Sequence, residues 1–139
     1  MTVDCARPAE LAKFWCFALG YVEAGPTAGF ETWQAWLTHF NIPEEEWDDG
    51  AYIEDPDGAR PGISFLKVPE SKVAKNRMHL DVSVGGGRHV PIEVRWPHVT
   101  GAVDELTTAG ATVMYVDESD GTPDHVVMAD PEGNEFCVV

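Results

Sequence analysis

The sequence is short of positive charge. Its 139 residues carry 9 Lys+Arg against 24 Asp+Glu, which gives a formal net charge of −15. Such a field repels phosphate backbones and anionic lipids, so nucleic-acid binding and adhesion to anionic membranes are disfavoured. Long hydrophobic runs are lacking too, because no apolar stretch approaches the roughly 18 residues that a membrane span requires. The first residues form no basic segment followed by an apolar run, so we expect no signal peptide.

Cysteine is scarce as well. The three cysteines, Cys5, Cys16 and Cys137, are odd in number and stand in no Cys-x-x-Cys spacing. This pattern favours reduced thiols in a cytoplasmic protein over a disulfide framework. The hydrophobic content of 44% fits a globular chain. The length is that of one ordinary domain with a sizeable core.

One turn sequence occurs twice. Asp130–Gly133 reads Asp-Pro-Glu-Gly and lies between two apolar runs, and Asp55–Gly58 reads Asp-Pro-Asp-Gly in a similar setting. Proline presets φ for a turn and glycine tolerates positive φ, so each copy predicts a β-hairpin. A hairpin that is present twice indicates a fold built from two copies of one module.

The periodicity and turn signals predict a complete set of elements. In the first half these are a strand at 2–5, helices at 8–20 and 31–40, and strands at 21–24, 51–55 and 62–68. In the second half they are strands at 76–84, 111–116, 126–129 and 135–139, an extended segment at 92–96, a helix at 96–110 and a polar loop at 117–123. Each half therefore reads strand, helix, strand, strand, strand. We predict one α+β domain with module one at about 1–68, a linker at 69–75 and module two at about 76–139.

Residues 29–50 interrupt the repeat. Their aromatic side chains recur at three- and four-residue steps, as in Trp33, Trp36 and Phe40, which predicts an amphipathic helix. Such a stripe is most often core, and the alternative is an aromatic wall beside a ligand cavity. The acidic segment Glu44–Asp49 is interpreted as a solvated loop or helix end, because adjacent carboxylates do not easily converge on one cation.

Several phrases of the sequence resemble a known family. These phrases are Val3–Trp15, Leu19–Tyr21, Asn76–Val82 and Asp130–Cys137. They are similar to the glyoxalase-like domains of the vicinal oxygen chelate (glyoxalase/bleomycin resistance protein/dioxygenase) superfamily. The resemblance implies two tandem βαβββ modules whose curled mixed sheets form a cleft. The superfamily includes lyases, dioxygenases and metal-free proteins that sequester bleomycin, so the fold alone leaves the function open.

The resemblance also implies positions for metal ligands on the first and last strands of each module. His79 stands at the first-strand position of module two, and Cys137 stands at the last-strand position, where Glu is usual. Glu135 shares the strand face of Cys137. In module one the corresponding positions lie at or before Met1 and near Ser64 or Phe65, and neither offers a ligand suited to a divalent ion.

Two hypotheses follow for the function. In the favoured one, a metal-free protein encloses an aromatic or amphipathic small molecule, with Trp33, Trp36 and Phe65 as stacking surface and Asp81 as a polar group of the cleft. In the alternative, a divalent metal ion held by His79 and Cys137 activates vicinal oxygens of a small substrate in a lyase, isomerase or dioxygenase reaction. Glu135 would then be a ligand or the catalytic base. The expected partners are a small-molecule ligand and a second copy of the chain, as a homodimer, without nucleic acid or membrane.

Overall fold

The computed structural model describes residues 1–27, 29–76 and 78–139. Within them the chain separates into two units, Met1–Ser71 and Lys72–Val139. Each unit is one βαβββ module with its own four-stranded mixed sheet. The predicted α+β fold with a duplicated module is therefore confirmed. None of the described helices is long and apolar enough to cross a membrane.

Unit 1 carries the inserted helical segment between its second and third strands. Its elements are β1 (Thr2–Cys5), α1 (Pro8–Leu19), β2 (Val22–Glu23), α2 (Trp33–His39), a 3₁₀ turn (Glu44–Glu46), β3 (Gly50–Glu54) and β4 (Ile63–Lys67). The strand order is β1-β4-β3-β2, with β1 parallel to β4 and the other neighbours antiparallel. The first strand of the unit is thus hydrogen-bonded to its last.

Helix α1 shows why its residues form a helix and where it stops. Pro8 takes the first helical turn, where its missing N–H costs nothing, and Gly20 ends the helix in the left-handed region with φ 67°. Leu11, Phe14 and Trp15 are buried against the sheet. Burial of such side chains stabilises the unit by about 1.5–3 kcal/mol each.

Unit 2 repeats the same order with a longer helix. Its elements are β5 (Asp81–Val82), α3 (Ile92–Thr108), β6 (Thr112–Ser119), β7 (Thr122–Ala129) and β8 (Glu135–Val138). The strand order β5-β8-β7-β6 matches that of unit 1, and β5 is again parallel to β8. The core includes Val99 and Leu106 of α3 and Phe136 and Val138 of β8.

Three boundaries in unit 2 differ from the prediction. Residues 92–96 are the first turns of α3 and not an extended segment, so Pro97 lies inside the helix. Residues 117–123 are not a loop, because β6 and β7 continue through them and meet at Asp120-Gly121, both with positive φ. The strand predicted at 76–84 is reduced to β5, and Arg77 of that range lies outside the described residues.

The two copies of the repeated turn share one backbone hydrogen bond, from the N–H of Gly58 or Gly133 to the carbonyl of Asp55 or Asp130, and in both copies the aspartate side chain accepts further backbone N–H groups. Asp55 accepts the N–H groups of Ala59 and Arg60 at its Oδ2, at 3.1 and 2.9 Å. Asp130 accepts those of Glu132 and Asn134 at its Oδ1, both at 2.9 Å. The fourth residue of each turn, Gly58 or Gly133, has positive φ. Each aspartate therefore organises a hairpin by satisfying backbone donors that the turn leaves unpaired.

Candidate ligand-binding site

Unit 1 contains a cavity of about 540 Å³. This volume lies within the roughly 300–1,000 Å³ that small-molecule sites occupy. Its apolar wall comes mainly from the inserted segment and from β3 and includes Trp33, Trp36, Leu37, Ile42, Trp47 and Tyr52. We call this cavity the tryptophan pocket.

Trp33 is fixed in the wall of the tryptophan pocket by two contacts. Its indole N–H donates to the carbonyl of Ala24 at 2.9 Å. Its ring stacks on that of Tyr52, with centroids 4.8 Å apart and planes 17° from parallel. Trp36 meets the Trp33 ring edge-on, at 5.7 Å and 74°. The start of α2 that carries both tryptophans is capped by Thr32, whose hydroxyl accepts the N–H of Ala35 at 3.1 Å.

The far end of the inserted segment is held in a similar way. The Trp47 indole N–H donates to the carbonyl of Ile42 at 3.0 Å. Lys67 of β4 binds Asp49 twice, with its backbone N–H to the carbonyl at 2.9 Å and its Nζ to Oδ1 at 2.7 Å. The hydrogen bond to Asp49 raises the pKa of Lys67, so the ammonium stays charged at neutral pH. The pocket wall is therefore tied to the sheet at both ends.

The charged part of the lining is acidic. The carboxylates are those of Glu23, Glu46, Asp48 and Asp49, and no described lining residue is Lys, Arg or His. The indole N–H groups of Trp33 and Trp47 are both engaged by carbonyls. These two rings therefore offer a ligand ring surface rather than hydrogen-bond donors, which suits contact with a flat ligand.

Some of the residues proposed from the sequence as stacking surface line this pocket, and one does not. Trp33 and Trp36 both line it and are half-buried. Phe65 does not line it, because its side chain is 0% exposed and shares a face of β4 with the buried Ile63. Trp47 and Tyr52 were not predicted. Tyr52 could have been found, since it precedes the buried Ile53 and so lies on the opposite face of β3.

The residues proposed as metal ligands lie together in unit 2. The Sγ of Cys137 is 4.0 Å from Nδ1 of His79, and Asp81 of β5 is the register partner of Cys137 on β8. Burial, and then the charge of Asp81, raise the pKa of the Cys137 thiol. The thiol is therefore protonated at neutral pH, and a metal would have to displace that proton.

Glu135, the proposed catalytic residue, is held by a cation. Its side chain is 10% exposed, and its Oε2 lies 2.7 Å from Nζ of Lys75. The hydrogen bond from Lys75 lowers the pKa of Glu135. A general base works best with a pKa near the operating pH, and this contact moves Glu135 away from it.

Only one group of at least three potential ligands converges in the described ranges. It consists of Asp117, Asp124 and His125, whose ligand atoms lie within 4.8 Å of one another. Both oxygens of Asp124 are already engaged, because Arg88 donates to Oδ2 at 2.7 Å and Arg95 donates to Oδ1 at 3.1 Å. Arg88 in particular lowers the pKa of Asp124. These guanidinium groups fill the places that a divalent ion needs, so the group does not fit a metal.

Comparison with known proteins assigns the family. The model of the glyoxalase-like domain matches residues 1–139. The chain belongs to the glyoxalase-like domain family. No curated protein sequence matches it significantly.

Solved structures of other bacterial proteins are similar in fold to this glyoxalase-like protein. A glyoxalase/bleomycin resistance protein/dioxygenase family enzyme from Burkholderia phytofirmans is 15% identical with a TM-score of 0.60, over 99% of this chain and 93% of that one. A possible glyoxalase from Bacillus cereus is 14% identical with a TM-score of 0.59, over 100% and 94%.

A third similar structure contains a metal. It is a mutant of the fosfomycin resistance protein FosX from Listeria monocytogenes in complex with Mn(II) and 1S,2S-dihydroxypropylphosphonic acid. It is 9% identical with a TM-score of 0.60, over 99% of this chain and 83% of that one. At such identities these structures show the vicinal oxygen chelate fold that the sequence predicted, and the activity has to be argued from the site.

Proposed function

We propose that this glyoxalase-like protein binds a small molecule with a flat aromatic or amphipathic part in the tryptophan pocket, and that it does so without a strong catalytic metal. The observation that carries the proposal is the stacked pair of Trp33 and Tyr52 in the wall of a 540 Å³ cavity. Trp36 extends this aromatic surface edge-on.

The pocket is organised before a ligand arrives. The indole of Trp33 is held by Ala24, and Asp49 is held by Lys67. Side chains that are already ordered lose little further entropy on binding, so more of the stacking energy contributes to affinity. The proposed role is therefore a binding role, for which a preorganised aromatic wall is sufficient.

The expected binding can be followed through the indole N–H signals in a ¹H–¹⁵N spectrum of the protein. With quinoline as the probe, we expect the signals of Trp33 and Trp36 to shift while that of Trp96, on α3 of unit 2, stays in place. Trp33→Leu should weaken binding at least about fivefold, since base–aromatic stacking is worth about 1–3 kcal/mol. Trp96→Phe is the matched control. Shifts confined to Trp15 or Trp96 would contradict the proposal.

The metal-free part rests on the surroundings of His79. Burial raises the pKa of the Cys137 thiol, and Glu135 is bound to Lys75. The alternative is a metal-dependent lyase, isomerase or dioxygenase in which His79 and Cys137 hold a divalent ion and Glu135 moves a proton. The alternative is supported by the similar structure of FosX, which contains Mn(II).

Metal content separates the two functions. Protein purified without a tag or chelator should contain no stoichiometric metal. Zinc, nickel, manganese and iron(II) should leave the melting temperatures of the wild type and of His79→Ala equally unchanged. One metal per chain, or a stabilisation that His79→Ala removes, would establish the alternative instead.

Two further parts of the proposal concern assembly and compartment. We propose a homodimer, which analytical ultracentrifugation would test through the sedimenting mass. We also propose a cytoplasmic location, which agrees with three cysteines, Cys5, Cys16 and Cys137, that are all free thiols. A sedimenting mass of 15.2 kDa, that of one chain, would contradict the dimer.

A further inference from the structure

We infer that the ligand of the tryptophan pocket is a planar organic cation. The inference rests on the proposed function and specifies the class of ligand. It is carried by the composition of the lining, which combines an aromatic wall with four carboxylates and, among the described lining residues, no basic side chain.

The carboxylates come from separate parts of unit 1. Glu23 belongs to β2, Glu46 to the 3₁₀ turn, and Asp48 and Asp49 to the segment that leads into β3. Asp49 is partly neutralised by Lys67 at 2.7 Å. Within the described part of the chain, Glu23, Glu46 and Asp48 take part in no salt bridge. The pocket therefore has a surplus of negative charge that a cationic ligand can compensate.

The aromatic wall favours the same charge. The face of an indole or phenol ring carries the negative part of its quadrupole, and a cation within about 6 Å of the ring centre is attracted to it. Trp33, Trp36, Trp47 and Tyr52 all line the cavity. A cation whose charge is spread over a flat ring gains from stacking and from the carboxylates at once. An anionic ligand of the same shape gains only the stacking and is repelled by the carboxylates.

The net charge of −15 could attract any cation to any part of the surface. The acidic segment offers a control for this effect. Glu44 and Glu45 stand in the same 3₁₀ turn as Glu46 but do not line the pocket. Neutralising them changes the net charge as much as neutralising two pocket carboxylates, so only a local interaction distinguishes the two pairs.

The test compares probes that share one bicyclic ring and differ in charge. These are N-methylquinolinium, quinoline and quinoline-6-carboxylate, titrated calorimetrically into the full-length protein at mildly alkaline pH, where quinoline is uncharged. We expect N-methylquinolinium to bind about tenfold more tightly than quinoline and the carboxylate to bind more weakly than quinoline. Equal affinity for N-methylquinolinium and quinoline overturns the cation inference and leaves the proposed function standing. No binding of any probe overturns the proposed function itself.

Two double variants then locate the charge effect. The double variant Glu46→Gln/Asp48→Asn should bind N-methylquinolinium about fivefold more weakly than the wild type and should bind quinoline with unchanged affinity. Glu44→Gln with Glu45→Gln should leave the affinity for the cation within about twofold, because these two side chains do not line the pocket and their more distant charges are screened by salt. An equal loss in both double variants assigns the attraction to the whole protein's field and overturns the inference.

Discussion

The ring of Trp33 lies nearly flat against the ring of Tyr52, with centroids 4.8 Å apart and planes at 17°. Trp33 begins the inserted helix α2, whereas Tyr52 belongs to β3, one of the two inner strands of the sheet. The contact therefore joins the insertion to the repeated module. The wall of the tryptophan pocket forms only when the two are packed together.

A double-mutant cycle should detect this stacking in the free energy of unfolding. Aromatic pairs contribute about 0.5–1.5 kcal/mol beyond the area that they bury. We expect Trp33→Leu and Tyr52→Leu to show a coupling of about that size in urea denaturation. The control cycle pairs Trp33→Leu with Phe17→Leu, an exposed ring on α1, and its coupling should be close to zero. A similar coupling in both cycles would contradict a specific stack.

The turn at Asp55 should make unit 1 sensitive to acid. The hydrogen bond from Arg60 lowers the pKa of Asp55 to about 2. An unfolded aspartate has a pKa of about 3.9, so the stabilisation by Asp55 is complete above that pH and is lost as the pH falls towards about 2. We expect Asp55→Asn to melt at a lower temperature than the wild type near neutrality, and the difference to shrink below about pH 4. Asp57→Asn, in the same turn, is the control. A difference in melting temperature that does not change with pH would contradict this role.

Two glycine substitutions should change stability in opposite directions. Gly133 has a φ of 84° in the repeated turn, so Gly133→Ala should cost about 1–2 kcal/mol through backbone strain. Gly101 lies inside α3, and an added Cβ would meet nothing within 4 Å. Gly101→Ala should therefore stabilise by about 0.5–1 kcal/mol. Denaturant titration of both variants checks the two signs, and equal signs would contradict the local backbone geometry.

The thiol of Cys137 should react more readily once Asp81 is neutralised. Burial and the charge of Asp81 raise its pKa. Only the thiolate is nucleophilic, so we expect alkylation by iodoacetamide to be slow at neutral pH in the wild type. As the pH is raised, the alkylation rate should begin to increase at a lower pH in Asp81→Asn than in the wild type. Peptide mass spectrometry gives the rate at Cys137, and Asp104→Asn, on α3, is the control. An unchanged pH profile in Asp81→Asn would show that the carboxylate does not act on the thiol.

Much of the fold could be predicted because local and tertiary signals agree. Pro8 and Gly20 begin and end α1 because their backbone geometry suits those positions. The repeated Asp-Pro-x-Gly turns are stabilised locally, because the aspartate carboxylate accepts backbone N–H groups of the turn. The hairpin at Asp120-Gly121 was missed because the surrounding charged residues indicated a loop. The dipeptide itself is a strong signal for a two-residue turn. The start of α3 was missed because β-branched residues before Pro97 favour extended structure.

The candidate site could be predicted only in part, for a physical reason. Spacing placed Trp33 and Trp36 on one face of a helix, but the position of that face depends on the hydrogen bond to Ala24 and on the stack against Tyr52. Both are tertiary contacts that no local pattern specifies. Trp47 was not predicted for the same reason. Its place in the pocket wall depends on the hydrogen bond from its indole N–H to the carbonyl of Ile42, whereas the acidic residues around it indicated a solvated segment.

The pairing of β1 with β4 has a consequence for synthesis of the chain. The two strands are parallel, with Thr2 beside Ser64, so the sheet of unit 1 is completed by a strand far along the sequence. Contacts of this kind close slowly, because the intervening chain must be ordered first. During synthesis on the ribosome, β1 stays unpaired until Lys67 has emerged from the exit tunnel. Helix α1 therefore has time to form before the sheet does.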